Sequence, residues 1–298
     1  MVMNEKEEQK AGIVQYVGMG LFITLTAVIA LMLAVPFEAS GIKAFQNPES
    51  LWNPVYFFIF IIGFTAFILI VLKLGGEKFI YLIMLAAVAL TIYYVVDGLL
   101  LYYHIATIPL HGFDFGLNVG ALAITLILSL LLYKYPEWYV INTTGLIIAG
   151  GAAAIFGISL IPELVVLLMI ILAVYDAISV YKTKHMVSLA ESVIDLRVPI
   201  LFVLPRKWKR DFSALKGIEM GDAFIMGLGD AVIPAILVVS AYVSYPSVVP
   251  ALGALAGTLV GYSVLARFSG KGKPHAGLPF LNTGSIIGFL IGLLLINI

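Results

Sequence analysis

Apolar residues in this chain run in long, nearly unbroken blocks rather than in the i, i+3, i+4 stripe of a water-soluble helix or the alternation of a half-buried strand. Nine blocks can be marked: Ile13 to Val35, Val55 to Leu72, Phe79 to Leu101, Leu117 to Leu132, Val140 to Ile158, Leu164 to Tyr181, Ala223 to Val243, Val249 to Ala266 and Leu278 to Ile298. A helix needs about 20 apolar residues to cross the hydrocarbon core of a bilayer, and most blocks reach or approach that length. The pattern predicts an all-α polytopic membrane protein with nine transmembrane helices. The first block is too long for the core of a signal peptide and reads as a retained helix. The fifth and sixth are joined only by Ser159 to Glu163, the tightest connection in the count.

Charge gives a test that is independent of hydropathy. Lys and Arg collect in cytoplasmic loops, and successive loops must lie on alternate sides. Of 17 basic residues only Lys43 falls in a loop of the opposite parity; the rest precede the first block or follow the second, fourth, sixth and eighth. The amino terminus is therefore expected in the cytoplasm and the carboxyl terminus outside. Composition agrees with the class, at 62% hydrophobic and 11% charged residues with zero net charge. The absence of cysteine excludes disulfides, thiolate nucleophiles and thiolate metal sites.

Against this background two acids stand out. Asp176, in Val174-Tyr175-Asp176, lies six residues before Lys182, roughly 9 Å from the cytoplasmic end of span six if helical. Asp230, in Met226-Gly227-Leu228-Gly229-Asp230, lies nine residues after Gly221, roughly 13 Å in from the same side of span seven. A carboxylate at such depth costs at least a few kcal/mol unless it is neutral, paired or facing water. Neighbouring antiparallel helices would bring the two to one level. Two carboxyls sharing a site hold one proton between them. The ionised member can deprotonate water attacking an amide carbonyl, while the protonated one bonds the carbonyl oxygen and later supplies the leaving nitrogen. Spacing alone equally allows a secondary transporter or ion channel in which both acids are proton or cation ligands.

Other chemistries lack their motifs. There is no HExxH, and His104, His111, His185 and His275 are scattered, so no metal and no cofactor is expected. GxSxG, a P-loop and GxGxxG are all absent. Nor do the halves show the repeat with interrupted helices common among transporters.

The two acid motifs resemble a known family. Tyr175-Asp176 with Gly227-Leu228-Gly229-Asp230 resembles the paired YD and GxGD motifs of presenilins and signal peptide peptidases, the intramembrane aspartyl proteases. The longer runs Gly227 to Pro234 and Met186 to Val193 are similar to signal peptide peptidases, whereas nine spans with a cytoplasmic amino terminus look like presenilin. The chain thus resembles a prokaryotic, archaeal presenilin homologue, mainly from Tyr175 onward. The family's third motif, PAL, has its counterpart at Ala276-Gly277-Leu278, followed by a matching Pro279. Ala276 stands where the pattern has Pro and Gly277 where it has Ala. The resemblance implies Asp176 and Asp230 as the catalytic pair. It implies Tyr175, Gly227, Leu228, Gly229, Gly277, Leu278 and Pro279 as motif residues that shape the site. Single-span membrane proteins within the lipid bilayer are the implied partners, with no nucleic acid.

The remaining features take structural readings. Gly227 and Gly229 are expected to let another backbone approach Asp230, and Pro234 has no N–H for the Asp230 carbonyl. Gly253, Gly257, Gly261 and Gly284, Gly288, Gly292 strip one face of each of the last two spans. They read as close helix packing, and they allow a homo-oligomer. Residues 1–158 are expected to be scaffold and 159–298 to carry the acid pair, with 185–220 as a cytoplasmic loop. Within that loop Met186 to Leu196 shows helical spacing, and Arg206-Lys207-Trp208-Lys209-Arg210 suits an anionic membrane surface. The loop as a whole reads as surface-lying; a second reading makes Val198 to Leu204 an extended lid that pairs with substrate backbone. Asp97 and Glu163, at outer helix ends, are expected to meet interfacial water or one another, and Asp222 to be solvated.

Overall fold

The computed structural model describes residues 5–103, 118–183, 201–205, 223–269 and 275–296. Met186 to Leu196, the Arg206 to Arg210 cluster with Trp208, Asp114, Asp195, Asp222, His104, His111 and His185 lie outside these residues. Nine α-helices occupy most of the described chain: α1 (Glu5–Ala39), α2 (Trp52–Lys73), α3 (Glu77–Tyr102), α4 (Val119–Lys134), α5 (Trp138–Gly157), α6 (Pro162–Ile178), α7 (Leu228–Ser244), α8 (Val249–Ser269) and α9 (Leu278–Ile296). Each coincides with one apolar block to within a few residues at most ends. Seven are long and apolar enough to cross a membrane, whereas α4 and α7, of 16 and 17 residues, are shorter.

Local chemistry sets several boundaries. The Asn118 side chain accepts from the Gly120 and Ala121 amides and caps α4. Pro162 opens α6, where its missing N–H has no helical partner to lose. Beyond Ile178 the chain widens into a π turn over Ser179–Thr183. Gly41 and Gly75, at φ 70° and 79°, turn the chain after α1 and α2, a conformation that side chains disfavour.

The all-α expectation needs one correction. Leu201–Pro205 (β1) and Ala223–Gly227 (β2) pair as an antiparallel ribbon, with Leu201 opposite Gly227 and Pro205 opposite Ala223. Span seven, expected to be helical from Ala223, therefore starts as a strand and becomes a helix at Leu228. A short apolar run carries no periodicity that separates strand from helix, and here pairing decided it. The surface-loop reading of 201–205 is also corrected. Phe202, Val203 and Leu204 are buried against α1 and α5, and Phe202 stacks on Phe22 at 4.7 Å.

The far edge of β1 is closed by side chains. Asn142 of α5 donates from Nδ2 to the Val203 carbonyl at 2.7 Å and accepts the Val203 N–H on Oδ1 at 2.9 Å, as a neighbouring strand would. Gln15 of α1 donates to the Pro205 carbonyl at 2.8 Å, and among the described residues its Oε1 has no partner, Pro205 having no N–H to offer.

At the centre stands α7, whose residues from Ile233 to Ala241 are all buried, apolar on every side as an enclosed helix must be. It is packed by α1, α5, α6, α8 and α9. By contrast Phe60 of α2 is 71% exposed, on a face that only hydrocarbon can cover. The glycine faces of α8 and α9 meet each other. A Cβ on Gly257 would lie 2.8 Å from the Gly284 carbonyl carbon, and one on Gly288 would lie 2.9 Å from that of Gly253. These faces are occupied within one chain.

Candidate active site

Both acids sit at helix ends rather than in helix middles. Asp176 occupies the last turn of α6 and is 6% exposed; Asp230 occupies the first turn of α7 and is half-buried. The depth expected for Asp230 assumed a helical rise from Gly221, and the strand over 223–227 replaces that geometry.

A third helix end completes the arrangement. Asp176 Oδ2 accepts the Leu278 N–H at 3.1 Å, and the Gly277 N–H lies near the same carboxyl. These are first-turn amides of α9, which have no helical acceptor of their own. The Asp230 carboxyl lies near the Gly227 backbone and against the Cα of Gly277, where an added Cβ would stand 2.7 Å from Oδ1. The two acids are within electrostatic reach of each other. Asp176, Asp230 and the 277–278 backbone thus converge.

The glycines divide differently from expectation. A Cβ on Gly229 would meet nothing within 4 Å, and one on Gly227 would make an ordinary 3.5 Å contact with Asp230 Oδ2. The close backbone approach to Asp230 belongs instead to Gly277, at the start of α9. Leu228 is buried with Phe202, Leu204, Ala231 and Leu281 and anchors the start of α7. Tyr175 meets Phe58 of α2 edge to face at 5.8 Å, tying α6 to α2. Pro279 sits in the first turn of α9, and Leu278 packs on the main core. Pro234 is buried inside α7 and leaves the Asp230 carbonyl without its usual helical donor.

The lesser acids stand away from this centre. Asp97 lies near Asn118 at the start of α4, and Glu163 lies near Tyr245, away from one another. Among the described residues no group of three or more His, Cys, Asp or Glu gathers as a metal site. No residue is accordingly assigned to a metal or cofactor.

Sequence reasoning passed over four polar residues that fix the arrangement. Asn282 of α9 donates to the Met169 carbonyl at 2.9 Å and sets α9 against α6. Asn142 and Gln15 hold β1, and Tyr181 bonds the Ala276 amide at 3.3 Å. For Asn282, Asn142 and Gln15 the signal was present: a polar amide inside an apolar span is costly unless bonded.

An apolar helical bundle with two carboxyls meeting at helix ends defines a polytopic membrane protein with a site of the aspartyl-protease type. The comparisons make the assignment particular. The family model described as signal-peptide peptidase, presenilin aspartyl protease matches residues 19–298. A presenilin family intramembrane aspartate protease solved in space group C222 is 39% identical, with 94% of this chain and 99% of that one covered and a TM-score of 0.69. One solved in space group P2 is 40% identical, covering 93% and 97%, with a TM-score of 0.67. None of the curated proteins matches. The chain belongs to the signal-peptide peptidase and presenilin aspartyl protease family. It is an integral multi-pass membrane protein and an intramembrane aspartic endopeptidase, and the transporter or channel reading is not favoured.

Proposed function

We propose that Asp176 and Asp230 are the hydrolytic pair, acting on a peptide bond in the membrane helix of a single-span substrate. The observation that carries this reading is that both carboxyls converge on Gly277, from two different helices. The ionised carboxylate takes a proton from water as its oxygen attacks the amide carbon. The protonated partner hydrogen-bonds the carbonyl oxygen, and the C–N bond then breaks as the nitrogen receives that proton. Tyr175, Gly227, Leu228, Gly229, Gly277, Leu278 and Pro279 hold the pair and the substrate backbone beside it.

A helical peptide bond is shielded by its own hydrogen bonds, so the substrate must unwind before attack. Of the lid first read at Val198 to Leu204, Val198 to Ile200 lie outside the described residues, and Leu201 to Leu204 belong to β1, paired with β2 and held at its far edge by Asn142 and Gln15. We read β2, which leads directly to Asp230, as the strand that an unwound substrate segment joins.

All nine helices are read as spans, with the amino terminus cytoplasmic and the carboxyl terminus outside, on the strength of the charge parity. The short α7 is then completed by β2, whose five residues add about 16 Å at strand rise. Residues 1–158 are the scaffold and 159–298 carry the pair, with 185–220 facing the cytoplasm. This orientation suits substrates with external amino termini.

The test is cleavage of a single-span peptide by the purified chain in detergent. Asp176→Asn and Asp230→Asn each abolish cleavage, the double variant is no worse, and an aspartyl transition-state analogue blocks the wild type. Cleavage that survives either substitution overturns the pair. Because the chain has no cysteine, single cysteines placed at Lys6 and Ile298 and labelled from each side of sealed vesicles test the orientation.

A further inference from the structure

Beyond the acids, one side chain on α6's extension reaches the same stretch of backbone. Tyr181 lies five residues after Asp176, in the π turn, whose i→i+5 bonding widens the helix and carries Tyr181 round toward the side from which Asp176 projects. Its hydroxyl accepts the Ala276 N–H at 3.3 Å and lies 3.4 Å from His275 Nδ1, with the two rings 6.4 Å apart. Asp176 Oδ2 accepts the Leu278 N–H two residues along. One helix end therefore grips the approach to α9 at two points.

Tyr181 is 54% exposed, whereas Ala276 is 1% exposed and its N–H has to be satisfied. Ala276 is also the position at which the PAL pattern has Pro. A Pro there has no N–H and a fixed φ; Ala has an N–H and a free φ. The bond to Tyr181 restores the lost constraint and satisfies the added donor together.

Resting on the reading of Asp176 and Asp230 as the hydrolytic pair, we propose that Tyr181 is a positioning residue for the reaction. Through the Ala276 N–H it sets the course of the 276–278 backbone against both acids, so that a hydrogen bond does here what a proline ring does in the PAL pattern. The competing account is a tyrosine at the membrane interface with no role in the site.

The two accounts separate in a double-substitution cycle on the purified full chain, using a single-span peptide in detergent. Tyr181→Phe lowers kcat/KM by about fivefold, the scale of one neutral hydrogen bond, mainly in kcat because the reacting groups rather than substrate capture are displaced. In an Ala276→Pro background, where the N–H is gone, Tyr181→Phe changes the rate by less than about twofold. An equal loss in both backgrounds overturns the proposal, as does no loss in either.

Should Ala276→Pro fail to fold or to cleave, amide hydrogen exchange decides. Tyr181→Phe speeds exchange at Ala276 by about fivefold or more and leaves the Asn282 amide deep in α9 unchanged. Unaltered exchange at Ala276 overturns the proposal. If Asp176→Asn or Asp230→Asn still cleaves, the hydrolytic reading fails and the kinetic proposal with it, whereas a failed cycle with inactive Asp variants condemns Tyr181's role alone.

Discussion

The glycine facing between α8 and α9 makes Gly261→Ala the most informative single substitution away from the acids. Gly261 faces the first turn of α9: a Cβ there would stand 3.0 Å from the Phe280 carbonyl carbon and 3.2 Å from the Leu281 Cα, with the Phe280 oxygen closer still. Carbon pairs sit at about 3.5–4.0 Å, so the start of α9 must retreat by roughly 0.5–1 Å. The neighbours are backbone, not the end of a side chain that could rotate away. The Leu278 N–H to Asp176 bond, at 3.1 Å, would open to about 3.6 Å or beyond and cease to be a hydrogen bond. Overpacking of this kind costs about 1–3 kcal/mol, while a displacement of about 1 Å at reacting groups costs up to about 100-fold in rate. Gly261→Ala is therefore expected to lose ten- to a hundredfold in kcat with only a modest fall in Tm. Gly63→Ala, on α2 with nothing within 4 Å of the added Cβ, is the neutral control. Initial rates of peptide cleavage beside thermal unfolding in the same detergent decide it. A Gly261→Ala enzyme with wild-type kcat and Tm would refute the claim that α9 is held at backbone contact.

Other expectations follow from the same contacts. Asn142→Leu strands the buried N–H and C=O of Val203 at about 1–3 kcal/mol each, so both Tm and cleavage should drop sharply, and unfolding curves at wild-type position would contradict the strand-like clamp. Gln15→Met loses one bond but also removes an orphaned buried oxygen, so its stability should stay within about 1 kcal/mol of wild type; a collapse comparable to Asn142→Leu would show the Pro205 contact to be misjudged. Gly277→Ala places a Cβ 2.7 Å from Asp230 Oδ1 and forces that carboxyl to rotate, which should change kcat while KM and Tm hold; an unchanged kcat would mean the acid does not rest on residue 277. Because one proton serves two carboxyls, kcat/KM should be bell-shaped in pH, failing when both are protonated and when both are ionised, and a flat profile over about pH 4–9 would count against the dyad.

How far the chain could be read in advance follows from which forces leave a mark on sequence. Helix positions were legible because hydrocarbon demands long apolar runs, and the acid pair because a carboxyl in such a run has few bland explanations. The ribbon was not: Ala223 to Gly227 is as apolar as the helix it leads into, and only its partner at Leu201 to Pro205, separated by residues with no shared pattern, makes it a strand. The glycines of the GxGD stretch invited a steric reading that belonged to Gly277, since close approach is a property of what arrives from elsewhere in the chain. Asn142, Gln15 and Asn282 were visible as costly amides in apolar spans, but their partners are backbone carbonyls, which carry no residue signature. Tyr181 was the least legible, being an ordinary aromatic at the end of a span until the π turn brings it to Ala276.

These observations explain why the site is built from helix ends. A bilayer-embedded enzyme must expose polar backbone and admit water at one place, yet irregular backbone at membrane depth survives only inside protein or against a cavity. Helix termini supply the needed donors without breaking a helix, because their first amides are unpaired by construction. Asp176 takes the Leu278 amide of α9 beside that of Gly277, Asp230 stands near the Gly227 amide where β2 turns into α7, and Pro234 leaves the Asp230 carbonyl free. The enclosing helices then keep lipid out: α7 is buried along most of its length, and α8 and α9 close on each other without intervening side chains. On this construction the acids' positions depend on three helix ends at once, so substitutions at remote glycines and at buried amides should register in kcat as readily as changes beside the acids themselves.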